Sequence, residues 1–450
     1  MNKAAPSIKP TRALRGPAIT FTGDPFENGV EATMRYEADA IVAFGEGVIT
    51  HFGDASSVSA QLPEGIEIVA CGADALISVG FLDSHVHFPQ TPIIASYGAQ
   101  LLDWLRTYTF PMEERFADIE FARAVAKTFL RENLRNGVTT SCVYGTVHAH
   151  SVDALLEEAE RLGMRMAAGK VLMDRNAPEA LRDTAQSGYD DSRALILKWM
   201  GRGRAMYAVT PRFAVTSSPG QLEAAGALCR EFPDAYMQTH IAENIDEVEL
   251  VMRLFPDRKS YMDVYDHFGL CRPRAILAHG IHLSEDELCC AHRTGSAISH
   301  CPTSNFFLGS GAFDVSRAVR KGRPVRVGLG TDIGAGTSFS IMSTLNGAYK
   351  AAQLNRYSLS PAHAFYLATR GTARAMYIED RVGSLAPGME ADIVVLDMKS
   401  TPLIRYRMEF AKDIMDALFV QMILGDDRAI RATYVAGVQR YDRDAIEQHM

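Results

Sequence analysis

Between Leu76 and Asp332 the chain alternates short apolar runs with helical patterns, and this alternation restricts the fold more than any other feature of its 450 residues. The runs lie at Leu76–His85, Val138–Tyr144, Arg165–Leu172, Met206–Arg212, Ala235–His240, Ala275–His279, Ala297–His300 and Val325–Asp332. Each reads as a strand of a parallel sheet, and the stretches between them carry helix-start signals. Ser218-Pro219-Gly220-Gln221 reads as N-cap, first-turn proline and capping-box glutamine ahead of Leu222, Ala225 and Leu228. Ser284-Glu285-Asp286-Glu287 is a second capping box, with Leu283 and Leu288 placed as a hydrophobic staple and Gly295 as the stop. Eight strands joined by crossover helices predict an α/β fold, a closed (β/α)8 barrel of the TIM type. An open doubly wound sheet is the alternative, but no GxGxxG follows the first strand.

The two ends of the chain read differently. Ala40–Val69, with IVAFGEGVITHFG, and Ala391–Tyr441, with ADIVVLD and ATYVAGVQRYD, show short strands and turn residues without helical alternation. They are expected to pair into one small composite β domain. The division is then 1–75 and 383–450 for the two parts of that domain and 76–382 for the barrel.

Composition narrows the ligand. Hydrophobic residues make up 47% of the chain, enough for a large core, and the formal charge of -8 leaves no basic stripe for nucleic acid or an anionic membrane. A small molecule is the expected partner. The N-terminal stretch has no apolar run of signal-peptide length, and no window approaches a membrane span. Seven cysteines without CxxC spacing predict reduced thiols and a cytoplasmic location.

Most of the predicted strands end in a residue with chemistry: His85 and His87, Arg212, His240, His279, His300 and Asp332. Barrel active sites lie at the C-terminal ends of the strands. A core histidine bonded to backbone explains any one of these, and for His300 or His148 that reading stands beside a functional one. It explains the whole set poorly. His85 and His87 are one strand period apart, so both imidazoles leave the same face and can reach one ion. With His240 and Asp332 they offer nitrogens and a carboxylate suited to Zn²⁺, or Fe²⁺, with a position left for water. Such an ion lowers the pKa of bound water to about 7. Glu243, shortly after His240, is placed to carry a proton without being a ligand, its plain alternative being a solvated loop glutamate. His279 is expected to hydrogen-bond substrate or water. Cys301 reads as a small buried hydrophobe, and Lys170 as structural, since one mononuclear site already uses the proposed ligands.

Several segments resemble the guanine deaminase family of the amidohydrolase superfamily: SHVHFPQ, SYGAQLLDWLRTYTFP, TPRF, QTHIAEN, AHGIHLSEDEL, SHCPTSNFFLGSG and GLGTDIGAGTS. GSLAPGMEADIVVLD resembles the superfamily's β domain. The histidine pair and TD are shared widely in the superfamily; HFPQ, DWLRTYTFP and TPRF narrow the match. One departure is Val79-Gly80, where many relatives have Pro-Gly. The resemblance implies metal ligands at His85, His87, His240 and Asp332, and a proton shuttle at Glu243. It implies purine binding by Gln90, Arg212 and Phe213, with His87, His240, Glu243 and Asp332 also facing the substrate. The implied reaction is attack of metal-activated water on C2 of guanine, releasing ammonia and xanthine, with Asp332 accepting the water proton and His279 assisting. The implied cofactor is one Zn²⁺ per subunit, and the implied assembly is a homodimer. Gly98–Pro111, rich in Leu with Trp104, Tyr108 and Phe110, is expected to cover the purine. The alternatives are an aminohydrolase of the superfamily acting on another purine, a pterin or a triazine, and, with least weight, a barrel that has lost its chemistry.

Overall fold

The computed structural model describes residues 8–98 and 100–446. Its strands, in chain order, are β1 (Arg12–Phe21), β2 (Met34–Gly45), β3 (Val48–Asp54), β4 (Glu67–Ala70), β5 (Ala75–Val79), β6 (Phe81–His87), β7 (Val138–Tyr144), β8 (Arg165–Gly169), β9 (Val171–Leu172), β10 (Met206–Pro211), β11 (Tyr236–Ile241), β12 (Ala275–His279), β13 (Ala297–His300), β14 (Arg326–Leu329), β15 (Ile393–Asp397), β16 (Ile430–Val435) and β17 (Val438–Asp442). Strands β6, β7, β8, β10, β11, β12, β13 and β14 pair in that order, all parallel, with β9 alongside β10. This is the predicted barrel. It is nearly closed, and side chains stitch its seam. Asp83 on β6 accepts from the Thr331 amide at 3.1 Å and from the Thr331 hydroxyl. Ser84 donates to the Leu329 carbonyl at 3.0 Å, and the Asp332 amide donates to the His85 carbonyl at 2.9 Å.

The long helices form where the sequence gives them one apolar face. In Ile119–Arg135 the buried residues Ala122, Val125, Ala126, Phe129, Leu130, Asn133 and Leu134 recur at helical spacing, and the Asp118 side chain caps the first turn. Each fully buried Phe or Leu on such a face contributes about 1.5–3 kcal/mol. The Ser284–Glu287 box forms in both directions, and Gly295 ends that helix in the left-handed conformation. The Ser218 box does not close. Ser218 caps the Gln221 amide at 3.2 Å, but the Gln221 side chain turns away to donate to Asp183 at 2.6 Å. Asp183 is also the partner of Lys170, at 2.6 Å, so that buried lysine is held at the side of the barrel as a structural pair.

The terminal segments form one sheet in the order β17-β16-β15-β5-β1-β2-β3, with β4 beside β1. Two expectations are corrected here. The run Leu76–His85 is not one strand: it divides at Gly80, so β5 joins the terminal sheet and only β6 enters the barrel. The sheet therefore extends through Val79, past the boundary expected at 75. The C-terminal part is also not purely β, because Pro402–Met408 and Ile414–Leu424 are helices. IMDALFVQMIL packs against helix Ile341–Leu354. A helix with so few polar residues shows no polar stripe, and the periodicity that identifies a half-exposed helix is missing. Where sheet and barrel meet, Arg165 and Arg204 converge on Glu390, and Arg204 also pairs with Asp392 at 2.6 Å.

Candidate active site

The strand ends deliver the predicted residues to one point. His85 and His87 come from β6, His240 from β11, His279 from β12, and Asp332 from the turn after β14, and all are buried apart from half-buried His240. His279 and Asp332 adopt φ of 73° and 53°, a left-handed conformation uncommon outside glycine. Such backbone is held only where the surroundings enforce it, and here both instances aim a side chain into the same space.

The donor atoms sit at ligand spacing. His87 Nε2 lies 3.1 Å from His240 Nε2, and Asp332 Oδ1 lies 3.2 Å from His85 Nε2 and 3.4 Å from His87 Nε2. Ligands on arms of about 2.0–2.1 Å in tetrahedral arrangement are separated by roughly 3.3–3.4 Å, so these gaps are the edges of one coordination shell. Burial holds His85, His87 and His240 well below the usual histidine pKa, keeping their imidazoles neutral with lone pairs available. His85 Nε2 is buried without a hydrogen-bond partner. His240 is oriented from behind: its Nδ1 faces the Arg212 carbonyl at 2.6 Å, which directs Nε2 forward. Imidazole nitrogens and a carboxylate oxygen gathered at such distances fit a shared divalent metal. Cys301 Sγ is near His85, His279 and Asp332, but burial pushes its thiol well above the usual range and it remains a neutral group directed at the Ser299 carbonyl, 3.5 Å away.

Glu243 stands beside this cluster. Its Oε2 is 3.4 Å from His279 Nε2, and its Oε1 accepts from the Ser310 hydroxyl at 3.4 Å. Burial first, then the charges of Asp332 and Glu247, push its carboxyl well above the usual carboxylate range. The loop that carries it is fixed by Glu247, whose Oε2 accepts from the Glu243 amide at 2.9 Å and whose Oε1 accepts from the Tyr261 hydroxyl at 2.7 Å. His279 Nδ1 is held by Asn305 Oδ1 at 2.9 Å, so its Nε2 is the nitrogen that faces the site. Burial raises Asp332 to about 6.

Over these groups lies a pocket lined by His87, Gln90, Arg212, Phe213, His240, Glu243, His279 and Asp332, with Leu101, Trp104, Leu105, Leu308 and Ala335 completing its wall. His85 lies beneath, and every residue expected at the site is therefore present. The helical segment after β6 supplies Leu101, Trp104 and Leu105 to the wall. His300 is not part of it; its ring packs against Phe313 at 5.1 Å, and burial lowers it to about 3. His148 stacks on His150, away from the pocket. Sequence reasoning missed Glu113, which receives both bonds of Arg212 Nη1 at 2.9 and 2.8 Å with both side chains buried. It also missed Asn305, Glu247, Ser310 and Asp83. Nothing in TYTFPMEERF distinguishes Glu113 from its neighbour Glu114, which is why no signal for it was legible.

Gly334 explains how Gln90 is admitted. A Cβ at Gly334 would lie 2.0 Å from Gln90 Oε1 and 2.5 Å from Gln90 Cβ, and its φ is 122°. Gly334→Ala is expected to displace the Gln90 amide and raise the KM for the pocket's ligand on the order of tenfold, the cost of one lost hydrogen bond. Steady-state kinetics check this, and an unchanged KM would remove Gln90 from ligand binding.

A nearly closed parallel barrel with a metal-ligand cluster at its strand ends and a terminal sheet defines a metal-dependent hydrolase. Residues 76–439 match the model of the Amidohydrolase family, and the chain belongs to that family. Within it, the chain is 46% identical over 436 residues to the guanine deaminase of Escherichia coli (strain K12), covering 96% of this chain and 98% of that one. The solved E. coli guanine deaminase superposes with a TM-score of 0.93 at 45% identity, over 96% of this chain and 100% of the other. A guanine deaminase from C. acetobutylicum, solved with bound guanine in the active site, superposes with a TM-score of 0.84 at 28% identity, over 96% of this chain and 100% of the other.

Proposed function

We propose that this chain hydrolyses guanine to xanthine and ammonia. The carrying observation is the convergence of His85, His87, His240 and Asp332 beneath a pocket that presents Gln90, Arg212, Phe213 and Glu243 together. Similarity to guanine deaminases along nearly the whole chain supports the same substrate.

His85, His87, His240 and Asp332 would hold a Zn²⁺, or an Fe²⁺ that suits the same donors, and the bound ion would supply Lewis acidity that lowers a water's pKa to about 7. Gln90 and Arg212 hydrogen-bond the O6 and ring-nitrogen edge of guanine, and Phe213 offers an aromatic face. This sets C2 toward Glu243 and Asp332. Asp332 accepts the proton of the attacking water. Glu243, whose environment favours the protonated carboxyl, delivers its proton to the ring nitrogen, takes up the proton held on Asp332 and passes it to the departing amine, and the proton of the added oxygen returns to Glu243 as the C2 carbonyl forms. His279 Nε2, beside Glu243, steadies the oxygen that is added at C2. A C–O bond forms, the C–N bond breaks, and ammonia leaves. Leu101, Trp104 and Leu105 keep bulk water from the reacting face.

We place the enzyme in the cytoplasm, supported by cysteines that are all free thiols, and as a homodimer on family resemblance. No helix among the described residues is long and apolar enough to cross a membrane. The test is ultraviolet monitoring of guanine conversion to xanthine with metal-loaded protein, before and after a chelator. Activity is expected to disappear with the metal and return on adding Zn²⁺. Unchanged guanine alongside deamination of another purine, a pterin or a triazine would overturn the substrate assignment.

A further inference from the structure

Away from the pocket, Cys271 and Cys290 face each other between two helices. Cys271 follows helix Tyr261–His267, Cys290 lies in helix Glu285–Thr294, and their sulfurs, with an oxygen of Asp266, are within 4.8 Å of one another. Cys271 is buried, with its Sγ 3.4 Å from Met262 Sδ. Cys290 is partly exposed and opens onto a surface cleft lined by Lys259, Asp263, Asp266, Asp286 and Arg293. Arg293 Nη2 lies 3.3 Å from Cys290 Sγ and 3.3 Å from Asp266 Oδ2. A guanidinium among the donors opposes a bound cation and favours a thiolate, so the cluster suits sulfur chemistry better than metal binding.

We infer that Cys290 and Cys271 form a peroxide-reactive pair that closes reversibly to a disulfide. Geometry separates the roles: Cys290 has the access and the cation, and Cys271 is the buried neighbour that resolves. The neighbouring Cys271 thiol, assisted by Arg293, draws the Cys290 thiol below the usual cysteine range, against burial and the opposing charge of Asp266; the nearness of Cys290 together with burial pushes Cys271 well up. In the first step the Cys290 thiolate attacks a hydroperoxide. An S–O bond forms, the O–O bond breaks, the sulfur is oxidised to sulfenic acid, and the leaving oxygen takes a proton as water or alcohol. In the second, the Cys271 thiol gives up its proton and attacks Cys290 sulfur, forming the S–S bond and releasing hydroxide, which leaves as water. Side-chain rotation must bring the sulfurs to about 2.05 Å.

Cys289, exposed and adjacent on the same helix, is an internal control. Metal-loaded protein is treated with hydrogen peroxide, remaining thiols are alkylated, and peptides are mapped without reduction. A peptide pair joined through Cys271 and Cys290, lighter by two hydrogens and released by dithiothreitol, is expected, with Cys289 alkylated. In Cys271→Ala, dimedone should trap sulfenic acid at Cys290. In Arg293→Ala, oxidation of Cys290 should slow on the order of tenfold as the thiolate fraction falls. Wild-type mapping decides the matter even if a variant folds poorly. Oxidation of Cys289 as fast as Cys290, or loss of Cys290 to higher acids without the cross-link, overturns the inference.

Discussion

Glu243→Gln is expected to keep its metal and lose guanine turnover, with kcat falling by about 10²–10⁴, the usual contribution of a positioned general acid or base. The substitution preserves shape and can retain the contact with Ser310, which is 3.4 Å from the carboxyl. What it removes is the ability to take and give a proton. Glu243 is absent from the donor set formed by His85, His87 and His240, so metal content measured by elemental analysis should match wild type. The KM for guanine should change little, because the amide still fills the same buried space beside His279. A variant with full metal and turnover within a few-fold of wild type would remove Glu243 from the proton path. A variant that loses metal would instead make it a ligand.

The legible part of this molecule follows from strand periodicity and from where barrels keep their chemistry. His85, His87, His240, His279 and Asp332 could be read because each ends an apolar run, and strand ends on one rim converge. Gln90, Arg212 and Phe213 were assigned to purine recognition only through family resemblance, since no spacing rule tells an amide that binds a ligand from one that caps a turn. The seam residue Asp83 and the loop anchor Glu247 were not legible. Each works through partners that meet it only after folding, Thr331 for Asp83 and Tyr261 for Glu247. Burial raises Asp83 to about 7 even as it accepts those seam bonds, a conflict no local pattern records. Gly80 was hidden for another reason. Ala75–Val79 and Phe81–His87 are both fully buried, so their hydrophobicity runs on without a break although they serve different sheets. Helix Ile414–Leu424 was hidden by the same excess of apolar residues.

Glu113 is the residue whose loss should reveal most about how the pocket is held. Its carboxylate receives Arg212 Nη1 on both oxygens, at 2.9 and 2.8 Å, and the two side chains are 0% and 2% exposed. The Phe110 ring lies 5.7 Å below the guanidinium and limits its movement. Breaking a buried ion pair by removing one partner costs about 3–5 kcal/mol, because the remaining charge is left uncompensated. In Glu113→Ala that cost falls on Arg212, which must swing toward solvent or distort its strand end. Either response reaches two functions. The guanidinium leaves the place proposed for it on the purine edge, and the Arg212 carbonyl, which orients His240 through Nδ1 at 2.6 Å, loses its fixed position. We expect kcat/KM for guanine to fall by about 10²-fold or more, in line with that energy. Glu113→Gln keeps the volume and one acceptor oxygen, and its loss should appear mainly in KM, with metal content intact. A merely structural residue would lower thermal stability in both variants and leave the KM of the surviving folded enzyme unchanged. The double variant Glu113→Ala with Arg212→Ala separates the readings further. If Glu113 acts through Arg212, its removal should cost little in a background that already lacks the guanidinium, whereas additive losses would show that it acts by another route.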